Sequence, residues 1–262
     1  MTTTSYPLTD SATMLRRSLK HIVRYPSMTL LLVGMPLVFE LLFVYVLGGT
    51  LGAGLAGDGG RAAYVNYLVP GILLLTVSAA AQGTAISVAM DMSEGIIARF
   101  RTMAISRGSV LTGHVLGSLI QSLFSVVVVL GVSLAIGFRP TAGPLAWLGI
   151  LGVVAMIAFM LTWLCVALGL VSKSVETASN LPMFLTLLPF FGSGFVPTDS
   201  MPAGLRWFAE YQPFTPMIET LRDLLMDRPV GSNAIVAVAW CAGITLVSYV
   251  WALRLFRRRP AQ

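Results

Sequence analysis

Long apolar runs separated by short polar stretches dominate the 262-residue chain. Six runs reach the length of about 20 residues that a helix needs to cross a bilayer. They are Met28–Gly48, Asn66–Met90, Leu111–Gly137, Leu145–Val171, Ala178–Pro197 and Asn233–Phe256. Spanning strands would need short alternating segments, and the chain has none. The pattern therefore predicts an all-α polytopic membrane protein with six transmembrane helices. No internal repeat is strong enough to mark the inverted halves of many secondary transporters.

Three polar pieces between the runs have a pattern of their own. In SATMLRRSLKHIVRYP, 11–26, Leu15, Leu19, Ile22 and Val23 recur at helical spacing, with Arg16, Arg17, Lys20 and Arg24 elsewhere on the wheel. That is the pattern of an amphipathic helix lying in the membrane interface, its cations near anionic head groups and its extension limited by Pro26. In DMSEGIIARFRTMAISR, 91–107, Ile96, Ile97, Phe100 and Met103 share one helical side flanked by Arg99 and Arg101. An apolar patch beside positive charge fits a partner surface, or an interfacial helix touching only lipid. The third piece, 198–231, contains YQPFTPMIETLRD. A connection of about 35 residues is far longer than a tight turn requires.

Within that third piece Thr215 is placed to cap a helix and Pro216 suits its first turn. Met217, Ile218, Leu221, Leu224 and Leu225 form one face, and Glu219, Thr220, Arg222, Asp223 and Asp227 the polar one. Pro229 and Gly231 end it, and a shorter helix is expected over Ala203 to Glu210. Such helices dip into a membrane and return only where their polar groups meet protein or water.

Composition confirms the class. The chain is 56% hydrophobic and 11% charged, where globular proteins carry about 25% charged residues. Six spans place both termini on one side. With the termini in the cytoplasm, twelve Lys and Arg fall on the inner side and five on the outer. The positive-inside bias thus orients the chain and accounts for its net charge of +6 without any nucleic acid. The expected location is the cytoplasmic membrane.

Candidate chemistry is sparse. GLVSKS, 169–174, has no glycine directly before Lys173 and lacks phosphate-loop spacing, so no nucleotide site is expected in this chain. Ser193 in GSGF lies near the outer end of the fifth run. His21 and His114 both fall at the inner side, so no base reaches it and a serine nucleophile is excluded. Cys165 and Cys241 sit inside apolar runs as small hydrophobes, and no clustered His, Cys or carboxylate set offers a metal site. Neither catalytic residues nor bound metal are expected. Glu40 is the lone acid within a span. A group so costly to bury is a functional candidate: it lines a substrate path, pairs at a dimer interface or within the bundle, or reaches water. Asn66, Gln82, Gln121 and Asn180 are candidates for interhelical hydrogen bonds. Pro182 and Pro189 invite kinks in the fifth span.

Taken together these pieces resemble the permease subunits of type-2 ABC exporters, especially the daunorubicin-resistance (Drr) type. The basic amphipathic N-terminal helix, the six spans, EGIIARFRTMAISR and SGFVPTDSMPAGLRWFAEYQPFTPMIETLRDLL carry the resemblance, which covers nearly the whole chain as a single domain. The family commonly has Asn-Pro where this chain has Gln212-Pro213. The resemblance implies that the N-terminal helix (Arg16, Arg17, Lys20, Arg24) lies along the membrane and touches an ATPase. It implies that Glu94, Gly95, Ile96, Ile97, Arg99, Phe100 and Arg101 form a coupling helix docking on that ATPase. It also implies that 198–231 is re-entrant at the outer mouth, with Pro213, Thr215, Pro216, Glu219 and Arg222 in an outer gate. The implied partners are two ATPase subunits, which hold ATP and Mg, a second permease, identical or homologous, and membrane lipid. The implied function is export of an amphipathic drug, natural product or lipid, with hydrolysis outside this chain. The alternatives from other classes are a self-contained proton-coupled transporter using Glu40 and a non-transporting membrane scaffold.

Overall fold

The computed structural model describes residues 16, 26–54, 60–93 and 107–258. Among the described residues the ordered elements are all helical. The first apolar helix runs through α1 (Pro26–Leu41), a π-helical turn at Leu42–Leu47 and α2 (Gly48–Gly54). The other long helices are α3 (Gly60–Ser93), α4 (Arg107–Ile136), α5 (Pro144–Val171) and α10 (Ser232–Arg258). Among the described residues five helices are long and apolar enough to cross a membrane.

The central element is α3. Its 34 residues extend about 51 Å at 1.5 Å each, well beyond the hydrocarbon thickness. Of its most apolar stretch 72% is buried, against 17% for α10. It packs on α5, α4, α1 and α2, and Leu68, Ile72, Leu73 and Leu74 lie at the heart of the main apolar cluster. The difference follows from position. An element surrounded by helices is apolar all round and buried, whereas α10 turns Ile235, Leu246 and Val247 outward. Helix α4 ends through Gly137, whose φ of +120° only glycine adopts freely. Backbone N–H groups of Gly137 and Phe138 then close on the Ser133 carbonyl.

The fifth predicted span is not one helix. It is built from α6 (Val175–Asn180), α7 (Met183–Leu187) and a 3₁₀ turn at Leu188–Phe191, followed by a turn through Phe195. Pro182 and Pro189 supply no N–H to the helical ladder and clash with a continuing helix, so the chain steps at each. The apolar run was legible, but its continuity was set by these two residues. The stepped segment still lies along α3. Gln82 Nε2 donates to the Ser179 carbonyl at 2.7 Å, and Tyr67 Oη donates to the Ser193 carbonyl at 2.8 Å. Between these anchors α3 rises about 22 Å. The GLVSKS stretch is a helix end and a helix start: Ser172 follows α5, and the Ser174 hydroxyl accepts from the Thr177 N–H at the start of α6.

After a 3₁₀ turn at Thr198–Ser200 come α8 (Ala203–Tyr211) and α9 (Phe214–Leu225). Both gather at the bundle end formed by the beginning of α3 and the end of α4, where Thr141 N–H donates to the Leu225 carbonyl at 3.0 Å. We call this the distal end. Ser93 and Arg107 mark the proximal end.

Candidate functional site

The distal end is held by one arginine. Arg222 is 5% exposed, although the helical wheel placed it, with Thr220, on the wet face of α9. That expectation fails because α9 is covered by α3, α5 and α10 together, leaving Glu219 and Asp223 at its partly open edge. Thr220 is 2% exposed and donates to the Pro216 carbonyl at 2.6 Å. The guanidinium of Arg222 donates to the Ser193 carbonyl at 2.6 Å and to the Tyr67 carbonyl at 3.2 Å. It also pairs with Glu219 and lies 3.9 Å above the Tyr67 ring. One side chain thus joins α9, the 192–195 turn and α3. Arg suits the task because its planar fork bonds and stacks at once.

The glycines make this junction possible. A Cβ on Gly71 would sit 2.5 Å from the Gly194 carbonyl oxygen, so the two backbones touch with no side chain between them. Tyr64 Oη donates to the Phe195 carbonyl at 3.2 Å. Phe195 stacks on Phe190 at 4.2 Å and meets Phe43 at 4.7 Å. Ser193 Oγ is buried without a hydrogen-bond partner, and no histidine lies beside it among the described residues. His114 sits near the proximal end.

The α8–α9 corner is short. Gln212 N–H closes α8 on the Phe208 carbonyl, while its Nε2 donates to the Leu188 carbonyl at 3.1 Å. The amide that stands where the resemblance expects asparagine therefore ties α9 back to the broken fifth segment. Pro213 precedes α9 with φ of −63°, already near helical. Thr215 is not the cap that its sequence position implied. It lies inside the first turn, and its hydroxyl donates backward to the Ala209 carbonyl at 2.5 Å. Pro216 is buried in that same turn, where its missing N–H costs nothing. Asp227, at φ +50°, ends the helix before Pro229 is reached. On α8, Arg206 pairs with Asp199 and Glu210, and Trp207 and Tyr211 are exposed.

Glu40 is fully buried on α1. Its Oε1 accepts the Ser133 hydroxyl at 2.5 Å, and its Oε2 has no hydrogen-bond partner. Ser133 belongs to a line that the sequence reading missed. His114, Ser118, Ser122, Ser125 and Ser133 follow one face of α4, and the four serines are buried. Ser118 meets Thr84 of α3 at 2.5 Å and Thr162 of α5 at 3.3 Å. His114 Nε2 lies 3.1 Å from Asp91 Oδ2 on α3. The spacing of 4, 4, 3 and 8 residues was the available signal. Asn66 accepts from the backbone N–H of Arg139 at 3.1 Å, so it ties α3 to the loop after α4 rather than to another helix. Asn180 is exposed.

Arg16 is helical and exposed. Arg17, Lys20 and Arg24 lie outside the described residues, as does the whole coupling stretch Glu94, Gly95, Ile96, Ile97, Arg99, Phe100 and Arg101.

Comparison with known families matches residues 10–226 to the ABC-2 type transporter. The chain belongs to the ABC-2 type transporter family. It is similar to the daunorubicin resistance ABC transporter permease protein DrrB1 of Streptomyces coeruleorubidus, at 26% identity over 250 residues covering 95% of this chain and 86% of that protein. It is also similar to the probable doxorubicin resistance ABC transporter permease protein DrrC of Mycobacterium tuberculosis, at 27% identity over 217 residues covering 82% and 77%. Like other ABC-2 permeases, this chain is the multi-pass membrane component of a transporter, and ATP is hydrolysed in a separate ATPase.

Proposed function

We propose that this permease exports an amphipathic drug, natural product or lipid across the cytoplasmic membrane, as one of two permeases bound to two ATPases. The observation that carries the substrate class is the similarity, over 95% and 82% of the chain, to permeases named for daunorubicin and doxorubicin resistance. The pathway contributes too: a bundle whose buried residues are mostly apolar, with Glu40 and Asp91 the buried acids among the described residues, suits a largely apolar cargo.

In this reading the stepped segment 175–195 is a sixth crossing, since its anchors lie about 22 Å apart along α3. Both termini are cytoplasmic, by the bias of basic residues, and the distal end faces outward. Helix α8 offers Trp207, Phe208 and Tyr211 to the outer interface, where aromatic rings favour the head-group level. Helices α8 and α9 form the re-entrant closure of the exit, with Arg222 as its fastening. ATP drives the cycle only by favouring one of two states. The coupling stretch passes that preference on, with Ile96, Ile97 and Phe100 anchoring it and Glu94, Arg99 and Arg101 orienting it.

The test is co-expression with candidate ATPase subunits and purification in detergent. Co-elution with ATP hydrolysis supports the reading, and failure of every ATPase to bind overturns it.

A further inference from the structure

Glu40 has half a carboxylate unused. Oε1 takes the Ser133 hydroxyl, but that hydroxyl also lies 3.0 Å from the Val129 carbonyl and divides its proton between two acceptors. Oε2 takes nothing. The ion pairs among the described residues leave Glu40 out. As a purely structural pair this is poor, because an apolar replacement would do as well or better. A dimer contact fits no better. Glu40 is covered within its own protomer, while Val38, Leu41, Leu42 and Tyr45 are the outward residues of the same helix.

Two further features point to a ligand. The backbone around Glu40 departs from a regular helix on both sides. Pro36, one turn earlier, has no N–H to give the Leu32 carbonyl, and the π-helical turn begins two residues later, at Leu42. So α1 has the means to part from α4 at this level. Phe39 precedes Glu40 and meets Phe190 at 5.3 Å, and Phe43, three residues after Glu40, meets Phe190 and Phe195. Aromatic faces attract cations and stack on flat rings.

We propose that Glu40 receives the positively charged group of an amphipathic organic cation, held in aim by Ser133 while the phenylalanine cluster takes the apolar body. This rests on the exporter reading and narrows its substrate class. In the structure Glu40 is covered with Oε2 unpartnered, and separation of α1 from α4 admits the cation.

The test uses the full chain with its ATPase in lipid nanodiscs and two probes of similar shape, tetraphenylphosphonium and the neutral triphenylphosphine oxide. Glu40→Gln is expected to weaken tetraphenylphosphonium binding about 30-fold, the low end for removing one partner of a buried charge pair. The neutral probe should be unaffected, and Glu40→Asp should recover most of the loss. Unchanged cation binding in Glu40→Gln, or equal loss of both probes, overturns the site. A second measurement needs no variant: labelling of Glu40 by a lipophilic carbodiimide, read by peptide mass spectrometry. Tetraphenylphosphonium should slow it and triphenylphosphine oxide should not. Equal slowing, or none, overturns the site. A chain that binds the cation through Glu40 yet captures no ATPase keeps the site and sinks the exporter reading. A chain coupled to its ATPase whose Glu40→Gln form binds the cation normally does the reverse.

Discussion

Arg222→Ala should loosen the distal end more than any exposed substitution there. The change removes a charge-assisted hydrogen bond to the Ser193 carbonyl at 2.6 Å and a longer one to Tyr67 at 3.2 Å. Such bonds contribute about 1.5–3 kcal/mol each, and the stack on Tyr67 about 1 more. The pair with Glu219 counts for less, because that carboxylate is 28% exposed and screened. These terms overlap, and a net loss of about 3–5 kcal/mol is expected, in the range for breaking buried charged networks. For a chain of this size that is a fall of about 10 °C in thermal midpoint. The assay is thermal unfolding of the purified permease in detergent. Arg222→Lys should recover only part of the loss, since an ammonium neither forks nor stacks. Tyr67→Phe keeps the ring and should cost about 1 kcal/mol for its lost bond to Ser193. Arg206→Ala, on the exposed face of α8, should leave the midpoint where it is. An Arg222→Ala protein that melts with the wild type would refute the fastening role.

Gly71→Ala would put a methyl 2.5 Å from the Gly194 carbonyl; a loss of about 3 kcal/mol or more is expected from thermal unfolding, while Gly34→Ala, with nothing within 4 Å, should be silent. Burial, and then the nearby Glu219 carboxylate, push the Asp223 carboxyl above its usual range. The folded protein then binds this proton more tightly than the unfolded chain, so Asp223 erodes stability as pH rises through the carboxylate range. Asp223→Asn should therefore raise the midpoint near neutral pH and make no difference below that range. Phe100→Ala with Arg101→Ala should abolish coupling between ATP hydrolysis and transport while membrane insertion stays intact; normal transport by that variant would remove the coupling assignment.

What was legible in the sequence depended on how many neighbours each residue met. The long helices α3, α4, α5 and α10 follow from apolar length alone, because a crossing needs about 20 apolar residues whether its flanks meet lipid or other helices. The fifth segment does not, since Pro182 and Pro189 decide continuity against the same hydrophobicity. The apolar face of α9 was placed correctly, as Met217, Ile218, Leu221 and Leu225 are fully buried. Arg222 was misplaced because a helical wheel assumes one wet face, and α9 has little of one. The serine line on α4 was visible in its spacing, yet serine alone carries too little hydropathy contrast to stand out. Glu40 was singled out by its charge, but only coordinates reveal that its second oxygen is idle.

The contact of Gly71 with Gly194 has a genetic consequence. Neighbours usually forgive an enlarged residue when they are themselves trimmed, and suppressor mutations exploit that slack. Here both parties are already the smallest residue, and what collides is main chain. A suppressor of Gly71→Ala will therefore not be found at position 194. It must arise where the whole 189–195 turn is hung, at Gln212, Tyr67 or Arg222. The same pair acts as a key for alignment. Sliding the fifth segment by one residue would bring Ser193 or Phe195 against Gly71, and neither fits, so its register along α3 is set by the absence of two side chains.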